Sequence, residues 1–248
     1  MQSIMMGRLA ALRQRVAAAA ASAGRRPADV ELLAVSKGHP VPALRQALDL
    51  GLTKFGESYV SEAMPKVDGL QTDSVEWVYL GPIQTNKTRP IAENFDWVLG
   101  LSTLSAARRL HAQRPDNKGP LNICVQVNID GDPAKSGLRP ELLDAFLDEL
   151  DQFGNLTVRG LMTITRRPEP GAGGPGAAAF AALADLFAKQ VAGGRRWDTL
   201  SMGMSGDFEA AIASGSTQVR LGTALFGPRP ARVPDTSANE PGESACQP

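Results

Sequence analysis

Glu31-Leu32-Leu33-Ala34-Val35-Ser36-Lys37-Gly38-His39-Pro40 is a short apolar run that stops at a lysine followed by glycine. Its length and its Gly/Pro boundary read as a buried strand rather than a helix. Side chains alternate between the two faces of a strand, so Leu33, Val35 and Lys37 share one face, and the ammonium extends a row of buried apolar side chains. Burial disfavours the charged form of an amine, and only the unprotonated form attacks a carbonyl. Lys37 is therefore a candidate Schiff-base nucleophile. A lysine that merely snorkels out of a strand end is the plainer alternative. The turn also bears on the sheet: Lys37-Gly38-His39-Pro40 lacks the G-x-G-x-x-G that a doubly wound sheet uses to admit a pyrophosphate.

On either side of this stretch, apolar runs alternate with helix-period segments. Strands are expected at 30–36, 54–56, 75–80, 95–99, 121–129, 156–162, 198–202 and 217–221. Helices are expected at 41–50, 58–66, 85–94 (disturbed by Pro90), 104–113, 140–153, 177–191 and 208–213. Eight mostly apolar strands, rather than alternating ones, interleaved with helices predict an α/β fold: a single-domain (β/α)8 TIM barrel buried on both faces of its sheet. The Gly/Pro-rich stretch from Arg166 to Gly176 is expected to be a mobile surface loop. The barrel is placed at residues 1–228, and the polar, proline-bearing segment 229–248 is expected to be a disordered tail.

The segment Met1 to Arg26 carries Arg8, Arg13, Arg15, Arg25 and Arg26 and no acid, the composition of a transit peptide. Leu9, Leu12 and Val16 nevertheless fall at helical spacing, and Ala17 to Ala21 is a strong helix former. An extra amphipathic N-terminal helix docked on the barrel is the reading adopted.

Composition narrows the function. The 248 residues suit one barrel, the 43% apolar share suits a sizeable core, and 26 basic against 26 acidic residues leave no field for nucleic acid or an anionic membrane. No run of about eighteen apolar residues could span a bilayer. Cys124 lies in an apolar run and Cys246 in the polar tail, which fits a reducing cytoplasm. Small-molecule chemistry is the remaining expectation.

In a TIM barrel the site lies at the C-terminal strand ends, with phosphate often held after strands seven and eight. Those loops are Ser201-Met202-Gly203-Met204-Ser205-Gly206-Asp207 and Arg220-Leu221-Gly222-Thr223. Their glycines let backbone approach an anion, their hydroxyls donate, and the helix after Gly206 offers free N–H groups. Helix capping is the alternative use of the same residues. Arg220 shares the inward parity of Gln218, so its guanidinium is expected to be buried beside a ligand. An amine for an aldehyde, a phosphate cup and an arginine for a ring nitrogen together describe pyridoxal 5′-phosphate (PLP).

The motifs Ala34-Val35-Ser36-Lys37, Phe55-Gly56-Glu57, Gly81-Pro82-Ile83-Gln84-Thr85-Asn86-Lys87, Lys135-Ser136-Gly137, Arg159-Gly160-Leu161-Met162, Leu200 to Ser205 with Asp207, and Val219 to Gly227 follow one another in order. Over roughly residues 7 to 228 the chain resembles the pyridoxal phosphate homeostasis protein family. The resemblance implies a barrel of the alanine racemase N-terminal type, with Lys37 as the Schiff-base lysine. It implies Ser205, Gly206, Gly222 and Thr223 around the phosphate, Arg220 near the pyridine nitrogen, and Ser58, Met162 and Ser201 as further cofactor contacts. Lys87 and Lys135 are secondary candidates with solvated loop lysines as the alternative. Ser58 stands where the family usually has asparagine, and Gly38 and His39 where it commonly has threonine and lysine. His39 is expected to be an exposed loop histidine and His111 a solvated helix residue. The resemblance further implies a cytoplasmic monomer that binds and buffers PLP, acts in vitamin B6 and amino/keto acid balance, and meets PLP-dependent apoenzymes as partners. No catalytic or metal-ligating residue is expected. A weak PLP-dependent amino acid racemase is the alternative.

Overall fold

The apolar runs become, in a computed structural model, eight parallel strands that close on themselves in chain order. Residues 2–70, 72, 74–165 and 175–229 are described. The strands are β1 (Glu31–Val35), β2 (Lys54–Glu57), β3 (Glu76–Tyr79), β4 (Trp97–Leu101), β5 (Leu121–Gln126), β6 (Leu156–Met162), β7 (Thr199–Ser201) and β8 (Gln218–Leu221). The helices are α1 (Gln2–Ser22), α2 (Val41–Asp49), α3 (Val60–Gly69), α4 (Thr88–Asn94), α5 (Leu104–Gln113), α6 (Leu143–Leu150), α7 (Pro175–Ala192), α8 (Phe208–Ala213) and α9 (Thr223–Phe226). Pairing of β1 with β8 completes the barrel, with Leu33 opposite Arg220 and Ala34 opposite Leu221. This is the TIM barrel expected from the alternation.

Register decides which side chains enter the barrel. Val35 pairs with Gly56, Gly56 with Val78 and Val78 with Trp97, so these positions share the inner face. Leu33, Val78, Trp97, Leu99, Cys124 and Met162 form an inner cluster, separate from the larger one between strands and helices. Burial on both faces is why the strands read as mostly apolar rather than alternating. Lys54 closes the N-terminal end: its Nζ pairs with Glu31 at 2.8 Å and Glu76 at 3.2 Å, and lies 4.5 Å from the Trp97 ring centroid.

Helix α1 docks as its spacing predicts, burying Met5, Leu9, Leu12, Val16 and Ala20. Its arginines are docking contacts. Arg8 Nη1 donates to the Phe226 carbonyl at 2.9 Å, Arg15 Nε to Glu209 at 2.7 Å, and Arg25 Nη1 to the Ser216 carbonyl at 2.8 Å.

Several boundaries differ from the sequence reading. Strand β4 starts two residues late because Phe95 still closes α4, its N–H donating to the Ile91 carbonyl at 3.1 Å. Strand β5 stops at Gln126 rather than at residue 129. The expected helices at 85–94 and 140–153 begin as 3-10 turns at Thr85–Lys87 and Pro140–Leu142, before α4 and α6. Pro90 disturbs nothing, since it sits in the first turn of α4, where no N–H is needed. Pro175 and Gly176, read as loop, open α7 by the same tolerance. The rest of the expected mobile loop, 166–174, lies outside the described residues, as do residues 230–248 of the expected tail. Helix α9 was not expected, being a single turn too short to show periodicity.

Candidate functional site

At the C-terminal ends of β1, β2, β3, β6, β7 and β8 lies a cavity of about 520 Å³, within the range of small-molecule sites. Lys37, Ser58, Ser205, Gly206, Arg220, Gly222 and Thr223 all line it. Seven of the nine residues expected to contact a cofactor are thus brought to one space. Met162 and Ser201 are not among the lining residues. Met162 belongs to the apolar inner cluster, and Ser201 is fully buried, its Oγ accepting from Arg220 Nη1 at 3.0 Å. Alternating parity gives the face a side chain takes but not its depth along the barrel. A second cavity, about 560 Å³, lies at the opposite end between α1 and the starts of β1 and β2. It holds none of the expected site residues, and barrel chemistry belongs to the other end.

Lys37 extends the inward row of Leu33 and Val35 as parity predicts. Burial, then the neighbouring Arg229, pull its pKa below the ordinary lysine range, against the opposing pull of Glu57 and Glu62. Its turn is tight. Gly38 has φ 79°, which allows the His39 N–H to reach back to the Ser36 carbonyl at 3.0 Å. That reversal corrects the expected exposure of His39: it is 7% exposed, lines the cavity, and stacks on Phe226 with centroids 4.9 Å apart. His111 is also not simply solvated. Its Nδ1 accepts from the Asn155 N–H at 3.2 Å and its ring lies 5.4 Å from that of Phe153.

Arg220 is 5% exposed and reaches neutral oxygens: Nη1 donates to the Ser201 carbonyl at 2.8 Å, and Nη2 to the Thr163 carbonyl at 2.7 Å. Among the described residues it has no ion-pair partner. Burial lowers its pKa to about 10, with Asp207 opposing the shift. Asp207 lies at the cavity wall and braces the loop before α8. Its Oδ1 accepts from the Met204 N–H at 2.6 Å and its Oδ2 from Thr165 Oγ1 at 3.3 Å. At Gly222 an added Cβ would stand 3.2 Å from the Val35 carbonyl oxygen, so glycine permits the close passage of β8 past β1.

Lys87 is exposed and Lys135 pairs with Asp130 at 2.9 Å; neither lines the cavity. Arg229, placed in the expected tail, does line it, its side chain lying against Gly38. Composition argued against Arg229, and only the return of the chain past the β1 end reveals it. Outside the barrel wall lies a charged cluster that sequence reasoning also missed. Glu57, fully buried at the end of β2, accepts from Ser36 Oγ at 2.5 Å and from Lys66 Nζ at 2.7 Å through Oε1. Burial raises the Glu57 pKa, with the Lys66 and Ser36 hydrogen bonds acting against it. An acid directly following the apolar pair Phe55-Gly56 in a short strand was the available signal. Among the described residues no group of side chains could hold a metal ion, and no helix is long and apolar enough to cross a membrane.

The family model described as "Alanine racemase, N-terminal domain" matches residues 8–230. The chain is 50% identical over 222 residues to a pyridoxal phosphate homeostasis protein of Pseudomonas aeruginosa, covering 89% of this chain and 94% of that one. It is 41% identical over 232 residues to the Escherichia coli protein of the same name, covering 89% and 95%. Among solved structures it resembles PipY of Synechococcus elongatus with PLP bound, at TM-score 0.77 and 35% identity, covering 90% of this chain and 100% of that one. An alanine racemase from Corynebacterium glutamicum shares the fold at TM-score 0.64 and 17% identity, covering 94% of this chain and 64% of that one.

Proposed function

The chain belongs to the pyridoxal phosphate homeostasis protein family, and from that premise we propose that it binds pyridoxal 5′-phosphate through Lys37 and buffers it rather than turning substrate over. The observation that carries the reading is the convergence on one cavity of a pKa-lowered amine, a buried guanidinium that has no ion-pair partner among the described residues, and hydroxyl-bearing glycine loops. The donor set fits the cofactor. Among the described residues at the wall, Lys37, Arg220 and Arg229 outweigh the one carboxylate, Asp207, which is already engaged by Met204 and Thr165, so an anion meets net positive charge.

When bound, PLP supplies an aldehyde that an amine can hold reversibly. Lys37 would hold that carbon, its burial keeping a share of the amine unprotonated. Ser205, Gly206, Gly222 and Thr223 would hold the phosphate. Arg220, fixed by the Ser201 and Thr163 carbonyls, would face the ring nitrogen, with Ser58 at the cavity wall. Ser201 would act by orienting Arg220, and Met162 by forming the apolar floor. A guanidinium facing the ring nitrogen disfavours protonation there, which weakens the electron sink that racemases and decarboxylases need. This argues for holding over turnover. The proposal extends to a cytoplasmic monomer that releases PLP to apoenzymes and thereby influences amino and keto acid balance.

The direct test is to titrate purified protein with PLP, reduce with borohydride and map the adduct. The expected adduct is on Lys37; an adduct confined to other lysines sinks the reading. Pyridoxal, which lacks the phosphate, is expected to bind on the order of 10–100-fold more weakly, the loss of one or two charge-assisted hydrogen bonds. Equal affinities in a fluorescence titration would remove the phosphate cup from the account.

A further inference from the structure

Ser36-Lys37-Gly38-His39 is a four-residue turn, closed by the His39 N–H on the Ser36 carbonyl at 3.0 Å, with Gly38 at φ 79° in the third position. A type II turn requires a positive φ there. Lys37 occupies the second position, so the direction of its side chain follows the orientation of the turn.

Side chains outside the barrel grip that turn on both sides of Lys37. Lys66 Nζ donates to the Ser36 carbonyl at 3.0 Å, Ser36 Oγ donates to Glu57 Oε1 at 2.5 Å, and the Gly38 N–H donates to Glu62 Oε1. Lys66 also joins the two carboxylates, at 2.7 Å to Glu57 and 2.6 Å to Glu62. The backbone before and after Lys37 is thereby tied to one ion cluster. None of Glu57, Glu62 and Lys66 lines the cavity, so the cluster is not binding surface. Lys66 and Glu57 are buried, while the Glu62 side chain is 30% exposed. Glu62 also stands in the first turn of α3, where a carboxylate is favoured by the helix dipole.

We propose that Glu62, together with Lys66, is a positioning residue for the Lys37 amine: it holds the Gly38 N–H, and through it the turn that aims Lys37 into the cavity. The inference rests on the reading of Lys37 as the cofactor amine. A charge effect accompanies it. The charged groups acting on Lys37 are Glu57 from β2, Glu62 from α3, Arg220 from β8 and Arg229 after α9. Lys66 of α3, His39 of the same turn and Asp207 before α8 complete the titratable surroundings. Glu62 favours the ammonium, so removing its charge lowers the Lys37 pKa.

Wild type, Glu62→Ala and Glu62→Gln are compared in two measurements. Without cofactor, methylation of each lysine by formaldehyde and cyanoborohydride is followed by peptide mass spectrometry from neutral to alkaline pH, with Lys189 as an internal reference. With PLP added, the borohydride-trapped adduct on Lys37 is timed, and a thermal melt of each variant monitors the fold. Glu62→Ala is expected to slow trapping about tenfold, the effect of a misaimed reacting group, and to lower the pH midpoint of Lys37 methylation while Lys189 stays unchanged. Glu62→Gln keeps an oxygen for the Gly38 N–H, so it restores trapping to within about threefold of wild type while keeping the lowered midpoint. Wild-type trapping and midpoint in Glu62→Ala overturn the inference and leave the Lys37 reading standing. Slower trapping that merely tracks a lower melting temperature, with the midpoint unmoved, overturns it too. A wild-type adduct on another lysine overturns the Lys37 reading itself.

Discussion

Lys37→Ala is expected to abolish the yellow absorption band of the PLP complex and the borohydride adduct, and to weaken PLP binding by about a hundredfold, on the order of 2.8 kcal/mol. The physical reason is specific to this residue. The remaining cavity groups proposed to hold the phosphate and the ring, Arg220, Ser205, Thr223 and the glycine loops, supply no amine. Among the described residues Lys37 is the one lysine lining the cavity, whereas Lys66 is committed to Glu57, Glu62 and the Ser36 carbonyl. The variant should keep its fold, since the turn depends on Ser36, Gly38 and His39 backbone groups rather than on the Lys37 side chain. An absorption band that survives in Lys37→Ala, with borohydride labelling another residue, would contradict the assignment.

The largest expected effect on stability comes from Lys66→Met. It leaves Glu57 fully buried with Ser36 Oγ as its remaining partner, and one Glu57 oxygen already lacks a hydrogen bond in the intact protein. Breaking one side of a buried ion pair costs about 3–5 kcal/mol, readable as a drop in the urea midpoint. The double variant Glu57→Gln/Lys66→Met should recover part of this, because an amide needs no counter-charge. The deficit should also depend on pH. Burial raises the Glu57 pKa in the folded state, and loss of Lys66 removes the main group opposing that rise. A carboxyl with a raised folded pKa binds its proton more readily folded than unfolded. Its favourable contribution is therefore full below the ordinary glutamate value and disappears as pH climbs through the folded value. Lys66→Met should be least impaired under mildly acidic conditions; a deficit that grows as pH falls would contradict the assignment of Glu57 as the destabilising charge.

The barrel was legible because its strands are buried on both faces, so apolar runs marked them without reference to partners. That Lys37, Arg220 and the loops after β7 and β8 line one cavity was legible for a different reason: parity set Lys37 and Arg220 facing inward, and closure of the barrel sets those loops beside β1. Depth was not legible. Met162 and Ser201, expected from the family resemblance to touch the cofactor, are not among the cavity-lining residues, and strand alternation carries no information about layer. The Glu57 cluster escaped notice because Glu62 and Lys66, four residues apart on a helix, look like an ordinary surface pair until the β2 register turns Glu57 toward them. Arg229 and His39 were misjudged where chain direction changes over one or two residues, as the positive φ of Gly38 illustrates.

The pairing of β1 with β8 has a consequence for biosynthesis. Lys37 leaves the ribosome well before Arg220, Gly222 and Thr223, so for much of synthesis a nascent chain carries the amine without the loops proposed to seat a phosphate. On the proposed function, cofactor capture thereby waits on the synthesis and pairing of β8. A stalled or prematurely terminated product lacking β8 would offer PLP an ordinary amine and no seat.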